Sequence, residues 1–308
     1  MAHTSTPGTD AVPAAWPALP LDGWRDTYAT LHMWMQIAGK ICLALTPLTN
    51  HFWNITFHLT SRGLITPAIP ISDGRSMTMT FDFVNHHLVI QCSDGRVEQL
   101  ELAPRTVADF YGAVMETLTR LGVRVRIWAM PVEIPDPIRF DKDTVHHSYD
   151  PIAANTFWRV LVAIAPTFER FRSGFVGKCS PVHFFWGSFD LAVTRFSGKR
   201  APERPGADAM MREAYSHEVI SHGFWPGSRP VQEPAFYAYA VPEPEGLKTA
   251  AIEPAAASYN TELSEFILSY DAVRTAASPE DALTRFFEST YNAAADRAGW
   301  NRSELERG

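Results

Sequence analysis

The 308-residue sequence is poor in cysteine and in positive charge. Its three cysteines, Cys42, Cys92 and Cys179, are too few and too scattered for a disulfide scaffold or a cysteine-rich zinc site. Lys and Arg number 27 against 34 Asp and Glu, which gives a net charge of −7. Phosphate contacts need clustered basic side chains, so this balance argues against nucleic acid as the main partner.

Long apolar runs and targeting signals are also lacking. No window approaches the roughly 18 apolar residues that span a bilayer. The first twenty residues have neither a basic region nor an apolar run of signal-peptide length. We therefore expect a cytoplasmic protein with no membrane partner, whose partner is a small-molecule ligand.

Aromatic residues and histidine are abundant, with nine Trp, nineteen Phe and eleven His. A hydrophobic fraction of 46% and a charged fraction of 20% are typical of a globular chain. The length allows one large domain or two ordinary ones.

Apolar periodicity predicts helices over residues 24–40, 106–121, 155–171 and 279–298, with Pro166 breaking or kinking the third. Alternation and β-branched residues predict strands over 51–62, 77–83, 87–91, 97–102 and 123–128. The turn Ser93-Asp94-Gly95 predicts that the strands beside it form a hairpin. Three prolines between residues 130 and 143 predict an irregular connector.

The second half of the chain resembles the first. Gly39-Lys40, His51, Trp53 and Arg62 are followed in the same order by Gly177-Lys178, His183, Trp186 and Arg195. This order predicts an α+β fold in which two related helix–antiparallel sheet–helix halves form one pseudo-symmetric body. The predicted parts are a disordered tail (1–17), a first half (18–129), a Pro-rich connector (130–150) and a second half (151–302) with an insertion at about 196–235.

The first candidate site lies in the stretch SPVHFFWGSFDLAVTRFSG. One extra residue separates His183 from Trp186, compared with His51 and Trp53, which predicts a β-bulge beside Gly187. Such a bulge would place His183 and Asp190 on one side of the strand, as a general base or a pair of metal ligands. The alternative is an aromatic core strand with a satisfied histidine and a structural ion pair.

The second candidate site lies in the insertion, in YSHEVISHGFWPG. His217 and His222 are five residues apart, so this is not the HExxH zinc motif. Glu218 and His222 share a face in a helix and in a strand alike, so with His217 they are candidates for metal binding or acid–base work. The alternative is the end of a surface helix.

Two further residues have chemical alternatives. Lys178 is a candidate for binding an anionic substrate group, or else a charged residue at a helix end. Cys179, beside it, is a candidate nucleophile or else a small buried thiol. The aromatic residues between 184 and 239 suit either a pocket for a flat ligand or a packed core.

Four stretches, TLHMWMQIAGK, SPVHFFWGSFDLAVTRFSG, EAYSHEVISHGFWPG and EPAFYAYAVPEP, resemble a bacterial family of hypothetical proteins classified as a domain of unknown function. The similarity runs from about Trp16 to Trp300. The resemblance implies a single soluble unit and carries no assigned reaction.

The leading hypothesis is a small-molecule enzyme that uses acid–base or metal-assisted chemistry, such as a metal-dependent hydrolase, lyase or oxygenase. Its predicted catalytic residues are His183, Asp190, His217 and Glu218. Its predicted substrate contacts are Trp186, Arg195, Trp225 and Lys178. The predicted ligands of a Zn, Fe, Mn or Ni ion are His183, His217, Glu218 and His222.

Two alternatives stay open. One is a protein that binds haem or another flat aromatic ligand, with His183 or His51 as axial ligand; covalent haem is excluded because no CxxCH motif occurs. The other is a non-catalytic interaction scaffold.

Overall fold

A computed structural model describes residues 15–228 and 230–308. The helices are α1 (Arg25–Leu45), α2 (Val107–Arg120), α3 (Pro151–Ser173), α4 (Ala209–Ala214), α5 (Tyr270–Arg274), α6 (Pro279–Arg297) and α7 (Arg302–Leu305). Most of the predicted tail, residues 1–14, lies outside the described part of the chain. No helix in the described part is both long enough and apolar enough to cross a membrane.

The first sheet is an antiparallel meander. Its strands are β1 (His58–Leu59), β2 (Gly63–Ile65), β3 (Ile69–Pro70), β4 (Ser76–Asp82), β5 (His87–Cys92) and β6 (Val97–Glu101). They pair in the order β1-β2-β4-β5-β6, with β3 beside β4. Met77, Met79 and Phe81 are buried while the residues between them are partly exposed, so one face of this sheet belongs to the core.

The second sheet has strands β7 (His183–Phe185), β8 (Asp190–Arg200), β9 (His217–Trp225), β10 (Ala235–Val241), β11 (Ser258–Asn260) and β12 (Glu265–Ser269). The order is β11-β12-β10-β9-β8-β7, antiparallel throughout. What we call its helix face packs against α3 and α6. The helix face carries Leu191, Val193, Arg195, Ile220, His222, Phe224, Phe236 and Ala238. The opposite face, called the polar face, carries His183, Asp190, Thr194, His217, Ser221, Gly223, Tyr237, Tyr239 and Glu265.

Helix α1 lies in the interior. Nearly every side chain from Thr27 to Cys42 is buried, as expected for a helix that is enclosed by protein on all sides. Four polar or amphipathic residues nevertheless recur at a spacing of four along it: Tyr28, His32, Gln36 and Lys40. Residues at this spacing share one face, and this face meets the connector and the β7–β8 turn.

The predicted α+β class is confirmed, since antiparallel sheets and helices make up the chain. Helices α2 and α6 and the β5–β6 hairpin lie within about one residue of their predicted bounds. Each sheet is preceded and followed by a helix, but the pseudo-symmetry is not confirmed. The residues that suggested a repeat occupy different elements: His51 lies in a 3-10 helix (Asn50–Ile55), whereas His183 lies in β7.

Two predicted helix boundaries were wrong. Helix α1 does not stop at Gly39 but continues to Leu45. Helix α3 begins at Pro151, capped by the Asp150 side chain, and runs through Pro166 to Ser173. Pro166 is tolerated because it lies on the exposed side, where water can reach the carbonyl that it leaves unpaired.

Two predicted strands also need correction. Residues 51–55 form a 3-10 turn rather than a strand. Residues 123–128 pair with no strand in the described part of the chain. The segment predicted as an insertion, 196–235, contains the end of β8 and all of β9, which is paired on both sides. Residues 201–216, which include α4, connect β8 to β9.

A substitution at Gly39 tests how α1 packs against the second sheet. A Cβ at this position would overlap the Trp186 indole, so we expect Gly39→Ala to lower the free energy of unfolding by about 1–3 kcal/mol. Gly112→Ala in α2 is the matched control, because a Cβ there meets nothing within 4 Å. The control should gain about 1 kcal/mol from helix propensity. Urea denaturation measures both, and a stabilised Gly39→Ala would contradict this packing.

Candidate functional site

The candidate site begins at the β7–β8 hairpin. A four-residue turn, Trp186 to Phe189, joins the strands, and the register pairs His183 with Ala192 and Phe185 with Asp190. His183 and Asp190 therefore lie on the same face, as predicted. The physical reason is different, because a hairpin returns the chain and no bulge is needed.

Asp190 is a buried carboxylate, 6% exposed, held by two hydroxyl groups. Ser188 Oγ donates a hydrogen bond to Oδ1, and the Tyr237 hydroxyl donates one to Oδ2. Burial raises the pKa of Asp190 to about 6, and the two hydrogen bonds lower it only in part. No basic side chain in the described part of the chain forms an ion pair with it.

The charge of Asp190 also acts on two more carboxyl groups. Burial, and secondarily the charge of Asp190, raises the pKa of both Glu133 and Glu265 to about 7. Solvent reaches the Glu133 side chain even though enough protein surrounds its carboxyl to shift the pKa. Its Oε1 is 2.6 Å from where a Cβ of residue 187 would lie, so Gly187 makes room for it.

Glu133 is held in place by the buried helix α1. The Gln36 amide pairs with the backbone of Val132, donating to its carbonyl and accepting from its N–H, both at 2.8 Å. His32 Nε2 lies 3.0 Å from the carbonyl of Trp186 and 2.9 Å from that of Gly187, which ties the hairpin turn to the same helix. Gln36 and His32, which share one face of α1, therefore position the connector and the turn.

Two non-glycine residues beside the site have left-handed backbones. Glu133 has φ 57° and Phe189 has φ 60°. Such conformations are costly for residues with a Cβ and persist where the surroundings enforce them, often at functional sites.

Aromatic side chains surround the carboxyl groups. Tyr237 stacks on Tyr239, with ring centroids 5.9 Å apart, and the Tyr239 hydroxyl lies 3.1 Å from that of Tyr215. Gly223 on β9 has no side chain to block the Tyr237 ring, which crosses over it to reach Asp190. Burial raises the pKa of Tyr28 of α1, with a smaller lowering by the Trp225 side chain and a smaller raising by the charge of Asp190. We name Asp190, Glu133, Glu265, Ser188, Tyr28, Tyr237 and Trp225 the Asp190 cluster.

His183 shares the polar face with Asp190 but has its own surroundings. Its side chain is fully buried, with Nδ1 2.9 Å from Thr56 Oγ1, and Nε2 has no hydrogen-bond partner among residues 15–228 and 230–308. Burial lowers its pKa to about 3. It is a neutral histidine packed beside Trp53 and Phe185, and no hydrogen bond links it to Asp190.

The four predicted metal ligands are not brought together. His183 and His217 lie on the polar face, whereas Glu218 and His222 lie on the helix face. Glu218 accepts a hydrogen bond from Ser197 at 2.7 Å, and His222 Nε2 contacts Thr290 Oγ1 at 3.0 Å beneath α6. Across residues 15–228 and 230–308, no group of three or more His, Cys, Asp or Glu is placed to hold a metal ion.

Two predicted substrate contacts are packed away from the cluster, and Cys179 is the small, partly buried thiol of the second alternative rather than a nucleophile. Arg195 lies on the helix face, 5% exposed, with its guanidinium 3.5 Å from the Phe171 ring centroid. The Trp186 indole lies against Gly39 and donates to the carbonyl of Ile55. Burial raises the pKa of Cys179 to about 11, so its thiol stays protonated. Trp225 is the one predicted wall residue that lies at the Asp190 cluster, while Lys178 and His217 lie elsewhere, beside His51.

Sequence reasoning missed Glu133 and Glu265. Glu133 stood in a Pro-rich connector, where nothing in the local pattern distinguishes a functional acid from a solvated one. Glu265 did leave a signal, since it is a charged residue at the start of an otherwise apolar strand, EFILS. A second signal was the recurrence of a polar or amphipathic residue at every fourth position from Tyr28 to Lys40, within an otherwise apolar helix.

Together, the fold and the cluster define an α+β protein with two antiparallel sheets and a set of carboxyl and aromatic groups that includes the buried Asp190. The chain belongs to the family described as "Family of unknown function (DUF5996)", whose model matches residues 16–307. The resemblance drawn from the four sequence stretches is thereby confirmed. No curated protein and no solved structure matches the chain.

Proposed function

We propose that the protein is an enzyme that performs acid–base chemistry on a small molecule at the Asp190 cluster. One observation carries the proposal: Asp190 is buried with no basic partner in the described part of the chain, and its charge helps to raise the pKa of two further carboxyl groups, Glu133 and Glu265, to about 7. A purely structural acid is normally paired with a cation or with backbone N–H groups. Perturbed carboxyl groups with aromatic walls are instead typical of catalytic sites.

The three carboxyl groups suit complementary roles. With a pKa of about 6, Asp190 is mostly ionised at pH 7 and accepts a proton, while the Tyr237 hydroxyl fixes the direction of its free electron pairs. Glu133 and Glu265, with pKa values of about 7, are partly protonated at the same pH and return a proton to the product. Glu133 faces solvent, so it also exchanges protons with water.

The substrate we assign to this site carries a cationic or amine group. Three carboxyl groups that form no ion pair within the described part of the chain make the local potential negative. Tyr28, Tyr237 and Trp225 add aromatic rings of the kind that attract organic cations. A bound cation would also lower the free energy of the ionised carboxyl groups, which burial makes unfavourable.

The test uses a metabolite extract, because it needs no prior choice of substrate. The extract is divided by cation exchange, incubated with wild-type protein or Asp190→Asn, and compared by mass spectrometry. We expect compounds in the retained, cationic fraction to be consumed by the wild type and to be consumed at least roughly 100-fold more slowly by Asp190→Asn, the factor typical of a lost general acid or base. Turnover that persists in the variant would overturn the assignment.

Glu116→Gln is the matched control. It also removes one carboxylate, but from the exposed surface of α2, and it should keep the wild-type rate. Consumption confined to the unretained fraction would keep the acid–base role and refute the cationic substrate.

The proposal also places the protein in the cytoplasm. Its support is that Cys42, Cys92 and Cys179 are all free, as is usual for proteins in a reducing compartment.

A further inference from the structure

A second group of titratable side chains lies at the other end of the polar face. Lys178, in the loop between α3 and β7, places its ammonium nitrogen 2.6 Å from His51 Nε2. His51 comes from the 3-10 helix Asn50–Ile55, and the His217 ring stands edge-on to it, with centroids 5.8 Å apart. We name Lys178, His51 and His217 the Lys178 cluster.

The hydrogen bonds fix the protonation of His51. Its Nδ1 lies 3.0 Å from the carbonyl of Glu213 and 3.1 Å from that of Ala214, and carbonyl oxygens only accept. Nδ1 therefore carries the proton, and Nε2 offers its electron pair to Lys178. Burial and the charge of Lys178 both lower the pKa of His51, so the ring is neutral and the positive charge stays on the lysine.

The ammonium group of Lys178 has no counterion in the part of the chain that the structure describes. It forms none of the ion pairs found there, although it is only partly exposed. Its neighbours are the ring of Phe196, with the centroid 4.8 Å away, and the ring of Trp53, with the centroid 5.6 Å away. The nearest acid, Glu213, instead accepts a hydrogen bond from the backbone N–H of His51 through Oε1. Two of the three N–H donors of Lys178 are left without a partner among the described residues.

His217 adds a second polar group with a free nitrogen. Ser216 Oγ donates to the carbonyl of Glu213, so it accepts from His217 Nδ1 at 3.0 Å. This leaves Nε2 of His217 without a protein partner among the described residues, and Arg200 pairs with His217 across the β8–β9 ladder. The charged groups around the cluster are thus Lys178 and Arg200, against one carboxylate, Glu213.

The backbone at this cluster is strained in the same way as at the Asp190 cluster. His51 and Phe52 are consecutive non-glycine residues with φ of 55° and 60°. Two such residues in a row are costly, and the contacts of His51 with Glu213 and Ala214 hold them in place. The strain turns the His51 ring toward Lys178.

We infer that the Lys178 cluster is a binding site for a small oxyanion, a phosphate or a carboxylate group. The anion would accept the two open N–H donors of Lys178 next to the neutral His217 ring, and it would supply the missing negative charge beside the aromatic rings. Phe196 lies six residues along β8 from Asp190, about 20 Å at the usual rise of a strand. The oxyanion site is therefore separate from the Asp190 cluster and does not depend on the function proposed for it.

The test measures the binding of two probe anions, inorganic phosphate and acetate, in Tris chloride at pH 7.5. Proton NMR follows the C2 proton of His217, which is identified by its absence from the spectrum of His217→Gln. In the wild type we expect a saturable shift of this signal with at least one anion. Lys178→Met should weaken that binding at least tenfold, because it removes the only ammonium group in the cluster. A tighter response to phosphate assigns a phosphate-bearing ligand, and a tighter response to acetate assigns a carboxylate.

Two controls distinguish anion binding at the Lys178 cluster from non-specific attraction to surface charge and from any effect of the Asp190 cluster. Lys248→Met removes one positive charge at an exposed position and should bind the anion as the wild type does. Asp190→Asn should also bind it normally, so failure of the acid–base proposal leaves this result unchanged. Circular dichroism checks that Lys178→Met is folded; if it is not, Lys178→Gln replaces it. No saturable binding of either anion, or equal binding by the wild type and the folded Lys178 variant, would overturn the inference.

Discussion

Arg195→Ala should lower the free energy of unfolding by roughly 3–5 kcal/mol, the cost typical of removing a large buried side chain. Arg195 lies between α3, α6 and β8, where its guanidinium stacks 3.5 Å from the Phe171 ring centroid and 4.3 Å from that of Tyr291. It donates to the carbonyl of Phe171, and its Nε has no partner among the described residues. Removing it leaves a cavity between β8 and the helices. Urea denaturation at pH 7 measures the loss.

Arg195→Met distinguishes packing from charge. Met fills most of the same volume and removes a desolvated charge that has no paired carboxylate, so we expect stability within about 1 kcal/mol of the wild type, or above it. Arg170→Ala, whose side chain is 59% exposed, should change stability by less than about 0.5 kcal/mol. If Arg195→Met destabilises the protein as much as Arg195→Ala, the charge itself holds the structure together and our account of this residue is incorrect.

Arg195 also shows what local pattern reasoning can and cannot supply. The spacing of β8 places alternate residues on opposite faces, so the sequence already separates Arg195 from Asp190. It does not say which face meets α3 and α6, because both faces carry aromatic residues and a polar minority. That choice depends on contacts with helices more than twenty residues away in the chain.

Helices with strong periodicity and capping residues were predictable, and α2 is an example. Thr106 caps its N-terminus by accepting from the Asp109 N–H, and its apolar stripe is buried. Helix α1 was predicted too short because Gly39 resembles a stop signal. Its true role is to admit the Trp186 indole, a contact across almost 150 residues of sequence that no local pattern reveals.

The candidate site was predictable in part. Asp190 and Trp225 were chosen from a region where polar and aromatic residues mix, and both lie at the cluster. Glu133 was not chosen, because its role arises from the Gln36 contacts that fold the connector back onto α1. Such a long-range hydrogen bond between a helix and an irregular loop has no signature in spacing or composition.

Asp190→Asn should stabilise the protein at pH 8 by about 3 kcal/mol more than at low pH. The pKa of Asp190 is about 6 in the folded protein, against an ordinary value of 3.8, so the folded state binds the proton more tightly than the unfolded chain. The free energy of unfolding of the wild type therefore falls as the pH rises from about 4 to 6. The fall is roughly 1.4 kcal/mol for each unit by which the folded pKa of Asp190 exceeds the unfolded one. Asn keeps the shape and can still pair with the Ser188 and Tyr237 hydroxyls, but it never ionises. Urea denaturation of both proteins at pH 4, 5, 6 and 8 gives the difference.

Asp82→Asn is the matched control with the opposite sign. Asp82 is also buried, but it accepts hydrogen bonds from Arg62 and from the N–H groups of Val84 and Asn85, which hold its pKa below the ordinary value despite its burial. Its contribution to stability is present above the unfolded pKa and is lost only as the pH falls through the lower folded value. Asp82→Asn should therefore cost about 1–3 kcal/mol at every pH from 5 to 8. A loss of the same size and the same pH independence in Asp190→Asn would show that Asp190 is a structural acid like Asp82. A gain that grows with pH would show that the ionised carboxylate is kept at the expense of stability, which is the behaviour expected of a group retained for chemistry.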